Sequence, residues 1–216
     1  MSKTAVVLFN LGGPDRPEAV EPFLFNLFFD PAIIRLPTPL RWLLAKLISR
    51  RRAPVAREIY REMGGGSPLL PNTEAQAAAL GDALAARGLG EVRVFIAMRY
   101  WHPRARETAR AVAAYAPDRV VLLPLYPQYS TTTSASSLQE WRREAEAAGL
   151  TAATQAICCY PVEEGFAEAV AESLRQALRG LDHSLPPRVL FSAHGLPKKI
   201  VDRGDPYQWQ VEQSVA

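Results

Sequence analysis

Apolar residues in this chain fall into two alternating kinds of run. Short continuous runs rich in β-branched residues occur at 4–9 (TAVVLF), 91–98 (EVRVFIAM), 118–124 (DRVVLLP) and 187–193 (PRVLFSA). Such runs predict strands buried on both faces. A further extended segment is predicted over 153–159. Longer stretches separate them and predict helices over 17–29, 39–48, 54–63, 73–87, 103–115, 134–148 and 162–180, with a last helix beginning within 205–216. Pro39 opens one of these, the Gly64-Gly65-Gly66 run stops another, and 73–87 is rich in alanine.

Helices between buried strands predict an α/β fold: a doubly wound parallel sheet with right-handed crossovers and helices on both faces. Ligands in such sheets bind beyond the carboxyl ends of the strands. The residues just after each strand are therefore the informative ones. The chain also carries an internal echo, VLFNLGGP at 7–14 and VLFSAHGLP at 189–197. Read as a repeat, it places a first domain over 1–186 and the first strand and helix of a second, truncated one over 187–216. Strand-then-turn is also common enough to arise by chance.

Composition narrows the class. Of 216 residues, 48% are hydrophobic and 22% charged, enough to bury a real core. The net charge of +3 is too small to argue for nucleic acid, and none is expected as a partner. The adjacent Cys158 and Cys159 do not resemble a secreted disulfide framework and read as buried thiols in a reducing compartment. The first apolar run ends in a Gly-Gly-Pro turn, too short for a signal peptide. No apolar stretch reaches the ~18 residues that span a bilayer. The expected location is cytoplasmic. One segment stands apart: 23–52 is strongly apolar and ends in Arg50-Arg51-Arg52. Core packing plus a solvated charge run would explain it. So would a lip of Phe25, Phe28, Phe29 and Trp42 lying peripherally on the cytoplasmic face of an anionic membrane.

Chemistry gathers at the strand ends. His194, in SAHGLP, follows the run 187–193. A neutral imidazole there could ligate a metal or take a proton near neutral pH, or simply hydrogen-bond within a turn. His102 precedes Pro103 at a helix start and His183 lies in a polar loop. No HExxH, CxxC or His-x-His pair supplies a second metal ligand, and Asp202 and Asp205 are several residues away. The loops 99–103 (RYWHP) and 126–133 (YPQYSTTT) are rich in aromatics and neutral hydrogen-bonders. They suit a large flat aromatic ligand with acidic edges, since rings stack and arginine pairs carboxylates. They equally fit ordinary polar loops, with Ser134 as a helix N-cap. The Gly64–Pro68 loop lacks the Gly-Lys-Ser/Thr ending of a phosphate loop and suits close approach to a bulky ligand at least as well.

These segments together resemble the ferrochelatase family along the whole chain. FNLGGP at 9–14, RRAP at 51–54, YREMGGGSPL at 60–69, AMRYWHP at 97–103, LPLYPQYS at 123–130, FSAHGLP at 191–197 and GDPY at 204–207 look like that family's motifs, in its order. The resemblance implies two Rossmann-like halves with a porphyrin cleft between them, and insertion of Fe²⁺, as substrate, into protoporphyrin IX. It implies that His194 is the cleft histidine, binding metal, accepting a porphyrin proton, or both. It implies porphyrin contacts at Leu11, Tyr60, Ser67, Arg99, Tyr100 and Ser130, with Arg51 and Arg52 near the propionates and 23–52 as a lip that meets the inner membrane. The family's partner glutamate has no counterpart in these residues. Thr131 stands where some members carry the first cysteine of an iron–sulfur cluster, so no such cluster is expected. Beside iron insertion stand two alternatives, a porphyrin- or metal-binding chain without turnover and a coproporphyrin-specific enzyme. A nucleotide binder is disfavoured because Asn10–Pro14 makes a poor phosphate loop.

Overall fold

A computed structural model describes residues 2–181 and 186–216; His183 lies outside the described residues. The chain forms two compact units, Met1–Leu125 with Thr131–Ile157, and Tyr126–Ser130 with Cys158–Ala216. The first holds a four-stranded, all-parallel sheet in the order β2-β1-β3-β4. Its strands are β1 (Lys3–Asn10), β2 (Glu91–Met98), β3 (Arg119–Pro124) and β4 (Ala153–Ala156).

β1 is the hub of the sheet. It pairs with β2 from Lys3 to Asn10 and with β3 from Thr4 to Phe9. Its side chains alternate between two covered faces, which is why the run reads as continuously apolar. Ala5, Val7 and Phe9 pack with Phe95, Ala97, Val120 and Leu122 under α4 (Ala105–Tyr115) and α5 (Ser134–Ala147). Trp141 of α5 is 1% exposed and meets the Phe9 ring edge-on at 5.7 Å. Thr4 and Val6 point the other way, toward Leu80 and Leu84 of α3 (Leu69–Ala86).

After β1, a 3₁₀ turn at Pro17–Ala19 leads into α1 (Val20–Phe29). The two helices expected over 39–48 and 54–63 form one, α2 (Thr38–Glu62), which runs through Pro54. Proline costs a helix interior about 3 kcal/mol. Burial offsets that cost. Ala45, Ser49 and Ala53, four residues apart, are at most 1% exposed, and Ala53 packs with Val20, Phe23 and Leu24 of α1. Small side chains on that stripe let the two helices approach closely. Glu21 joins them from outside through Lys46 at 3.0 Å.

The second unit contains α6 (Glu164–Leu178), the short α7 (Lys198–Val201) and α8 (Tyr207–Val215). Two expectations fail around it. The strand expected over 187–193 forms no regular element, and Leu190 there is 83% exposed. A strand exists only through its ladder partners, and no described residue of this unit is in a strand. The extended run expected over 153–159 ends at Ala156, on an exposed sheet edge. Cys158 and Cys159 consequently lie past the strand: both thiols are free, Cys158 is exposed and Cys159 half-buried, rather than buried as expected. The boundary between compact units is one of packing. The boundary expected at 186–187 concerns an internal repeat and remains a proposal.

Candidate functional site

The carboxyl edge of the sheet is built by main-chain bonds between loops. Just past β2, the Arg99 N–H donates to the Asn10 carbonyl at 2.9 Å and the Tyr100 N–H to the Leu11 carbonyl at 2.9 Å. The Ser67 N–H donates to the Pro14 carbonyl at 2.7 Å, and Asn10 Nδ2 donates to Thr73 Oγ1 at 3.0 Å. Leu11, Ser67, Arg99 and Tyr100, four of the expected ligand residues, are thereby stitched together.

Two glycines make the approach close enough. A Cβ on Gly66 would sit 2.6 Å from the Asp15 carbonyl oxygen, and one on Gly13 within 2.5 Å of Ser67 Cβ. The glycine loop therefore approaches the chain's own turn after β1.

Arg99 is the most constrained charge at this edge. Its side chain is 14% exposed and its guanidinium lies between two carboxylates, with Nη2 2.6 Å from Asp30 Oδ2 and Nη1 2.8 Å from Glu140 Oε2. Its Nε is shielded from solvent and has no hydrogen-bond partner among the described residues. Tyr100 is buried, donates its hydroxyl to Asp30 Oδ2 at 2.7 Å, and lies with its ring 5.2 Å below Arg99 Cζ. Tyr60, half-buried on α2, packs against the cluster that contains Tyr100. Burial raises the Tyr60 phenol above its ordinary value, so it stays a hydrogen-bond donor.

Other expected residues are more open. Arg51 and Arg52 are exposed on α2, and Arg52 lies 5.8 Å over the Phe28 ring. The lip divides into two layers. Phe25 and Phe29 stack at 5.4 Å, Trp42 meets Phe25 edge-on at 6.3 Å, and Arg41 covers Phe29 at 5.1 Å. The three phenylalanines are half-buried. Exposure passes to Trp42 (50%) and to Leu40, Leu43 and Leu47. Those leucines were legible as a stripe at i, i+3 and i+7.

His102 takes a structural role, with Nδ1 2.8 Å from Glu107 Oε1 while Glu107 also accepts the Arg104 N–H at the start of α4. Ser134, expected as an N-cap, is the first residue of α5. Thr133 holds the cap position with no side-chain bond, because the turn before it starts the helix one residue early.

In the second unit His194 is exposed and lines an apolar cavity of about 680 Å³ with Phe166, Val170, Leu174 and Tyr207. Ser130 is buried and donates to Asp205 Oδ2 at 3.0 Å. Among the described residues no group of three or more His, Cys, Asp or Glu side chains could hold a metal ion.

The sequence model described as Ferrochelatase matches residues 3–216. The chain belongs to the ferrochelatase family. Relatives named ferrochelatase include that of Phenylobacterium zucineum (strain HLK1), 59% identical over 215 residues, covering 99% of this chain and 62% of the relative. That of Caulobacter vibrioides (strain NA1000 / CB15N) is 57% identical over 215 residues, covering 99% of this chain and 61% of the relative. That of Pelagibacter ubique (strain HTCC1062) is 52% identical over 214 residues, covering 99% and 61%. The chain thus spans 61–62% of the length of these ferrochelatases.

The glycine packing gives a direct test. Gly66→Ala must push apart the 14–15 turn and the 66–67 loop, and should destabilise the chain by about 1–3 kcal/mol. Urea denaturation would measure it. A midpoint equal to the parent's would mean that the loops are not in contact.

Proposed function

We propose that a protein of ferrochelatase length carrying this chain inserts Fe²⁺, as substrate, into protoporphyrin IX, forming protohaem and releasing two protons. The observation that carries this reading is the stitched carboxyl edge of the sheet, where Leu11, Ser67, Arg99 and Tyr100 meet. Membership of the ferrochelatase family supports it.

The residues suit the substrate. A porphyrin presents a flat apolar ring and two carboxylates. Leu11 offers exposed apolar surface, Tyr60 a protonated phenol, and Arg51 and Arg52 exposed cations for the propionates. Metal entry requires loss of two pyrrole protons. We assign His194 to accept a proton, to ligate the incoming iron, or both. Imidazole fits either task, and His194 is solvent-accessible in its own unit. Thr131 offers a hydroxyl and not a thiolate, so the reading includes no iron–sulfur cluster of the kind that starts at that position. It also includes a second chelatase-like half beginning at 187. Because the chain spans 61–62% of the length of these ferrochelatases, the 216 residues alone are assigned porphyrin binding without turnover.

The proposal places the protein in the cytoplasm, peripherally on the inner membrane. Among the described residues no helix is long and apolar enough to cross a membrane. The exposed Trp42, Leu40, Leu43 and Leu47, next to the arginines of α2, suit an anionic lipid surface.

Two experiments follow. In a chimaera where residues 1–216 replace the matching part of the Phenylobacterium zucineum relative, His194→Ala should lower anaerobic Fe²⁺ insertion into protoporphyrin by about 10²-fold or more, the scale of a lost general base. An unchanged rate would remove His194 from the chemistry. With vesicles of anionic and zwitterionic lipid, tryptophan emission should shift to the blue with the anionic set only, a shift that Trp42→Phe should remove and salt should weaken. Equal behaviour with both sets would rule out the lip.

A further inference from the structure

We infer that Asp30 and Glu140 are positioning residues, and that Asp30 sets the orientation of both Arg99 and Tyr100 for the porphyrin. The inference rests on the porphyrin reading above and deepens it.

Asp30 is in an unfavourable place for a carboxylate. It is the residue that ends α1, where the helix dipole is negative, and its side chain is 2% exposed. A charge there needs several donors to offset its lost hydration. It has three. The Ala32 N–H donates to Oδ1 at 2.8 Å, and Oδ2 accepts from Arg99 Nη2 at 2.6 Å and from the Tyr100 hydroxyl at 2.7 Å. The first bond fixes the carboxylate to its own turn. The other two fix consecutive residues of a different loop against it.

Glu140 completes the clamp from α5. Its side chain is 10% exposed; Oε2 takes Arg99 Nη1 at 2.8 Å and Oε1 takes Arg104 Nη2 at 3.3 Å. With each terminal nitrogen on a different carboxylate and an aromatic ring below, the Arg99 guanidinium has one orientation. Each terminal nitrogen keeps a second N–H, and the Nε, shielded from solvent, has no partner among the described residues. Packed apolar side chains generally serve stability as well as a buried ion network. What the network adds is fixed direction: a planar donor held before a ligand arrives loses less freedom on binding. In the expected porphyrin set only the Tyr100 ring shares this work, and neither carboxylate was in that set. Asp30 and Glu140 were not legible as functional from sequence, although an acid directly after the apolar run NLFF is a local anomaly.

Two measurements on the 216-residue chain test the inference. The first is nitrogen NMR of the arginine side chains. The parent should show hindered rotation of the Arg99 guanidinium, with separate terminal N–H signals. Asp30→Asn should average them, and the control Asp118→Asn should not. An averaged Arg99 signal in the parent, or one unaffected by Asp30→Asn, overturns the inference. The second is a double-mutant cycle on protoporphyrin affinity, read from the Soret shift. Arg99→Ala and Asp30→Asn should each weaken binding by about five- to tenfold, the scale of one charge-assisted hydrogen bond. The double variant should lose less than the two single losses combined, because the part of the Asp30 effect that runs through Arg99 is already gone in Arg99→Ala. Additive losses would show that Asp30 acts other than through Arg99. If Asp30→Asn fails to fold, Glu140→Gln takes its place in both measurements, with release of one Arg99 terminal nitrogen as the expected signal. If the parent gives no Soret shift, the porphyrin reading fails and the NMR result alone decides the clamp.

Discussion

A guanidinium held nearly out of water cannot stand without acceptors, and much of the sheet's carboxyl edge is arranged to supply them to Arg99. Asp30 comes from the end of α1, Glu140 from the buried face of α5, and the Tyr100 ring from the next position in the chain. Placing three elements around one charge fixes where α1 and α5 stand relative to the end of β2. Removing one partner would leave a buried charge uncompensated, which is more costly than never having built the pair. The network therefore constrains sequence at several sites at once.

Around that charge the backbone does the remaining work. The loop after β2 is bonded to the loop after β1, and the glycine loop between α2 and α3 is bonded to the same turn. Gly13 and Gly66 are needed because chain meets chain there. The result is a bonded platform with Leu11 exposed on it, and the proposed reading offers that apolar surface and the α2 arginines to a flat dicarboxylate ligand. Rigid support of this kind is how a fold prepares a binding surface before the ligand arrives.

Much of the first unit was legible in the sequence because period and burial agree there. The run TAVVLF reads as a strand covered on both faces, and β1 is one. EVRVFIAM reads as a strand over 91–98, and β2 has those bounds. The failures share a cause: each depended on partners that local pattern does not encode. Pro54 marks a helix break locally, but the packing of Ala45, Ser49 and Ala53 carries α2 through it. PRVLFSA has the composition of a strand and no described strand in its unit to pair with. At the site, ordered motifs gave the proposed ligand residues, whereas the pairing of Arg99 with Asp30 joins positions far apart in the chain. No spacing rule could reveal it. Exposure on the lip was legible only in part: the phenylalanines stack on one another, and the leucine stripe on α2 faces outward.

In the proposed reading the edge formed by Leu11, Ser67, Arg99 and Tyr100 receives the porphyrin. Backbone amide NMR of the 216-residue chain during titration with protoporphyrin tests it most directly. The largest shifts should fall on these four residues and on Tyr60, while amides of β4 and of the α3 face away from the sheet stay put. Shifts concentrated elsewhere on the chain, with those at 11, 67, 99 and 100 unmoved, would contradict it.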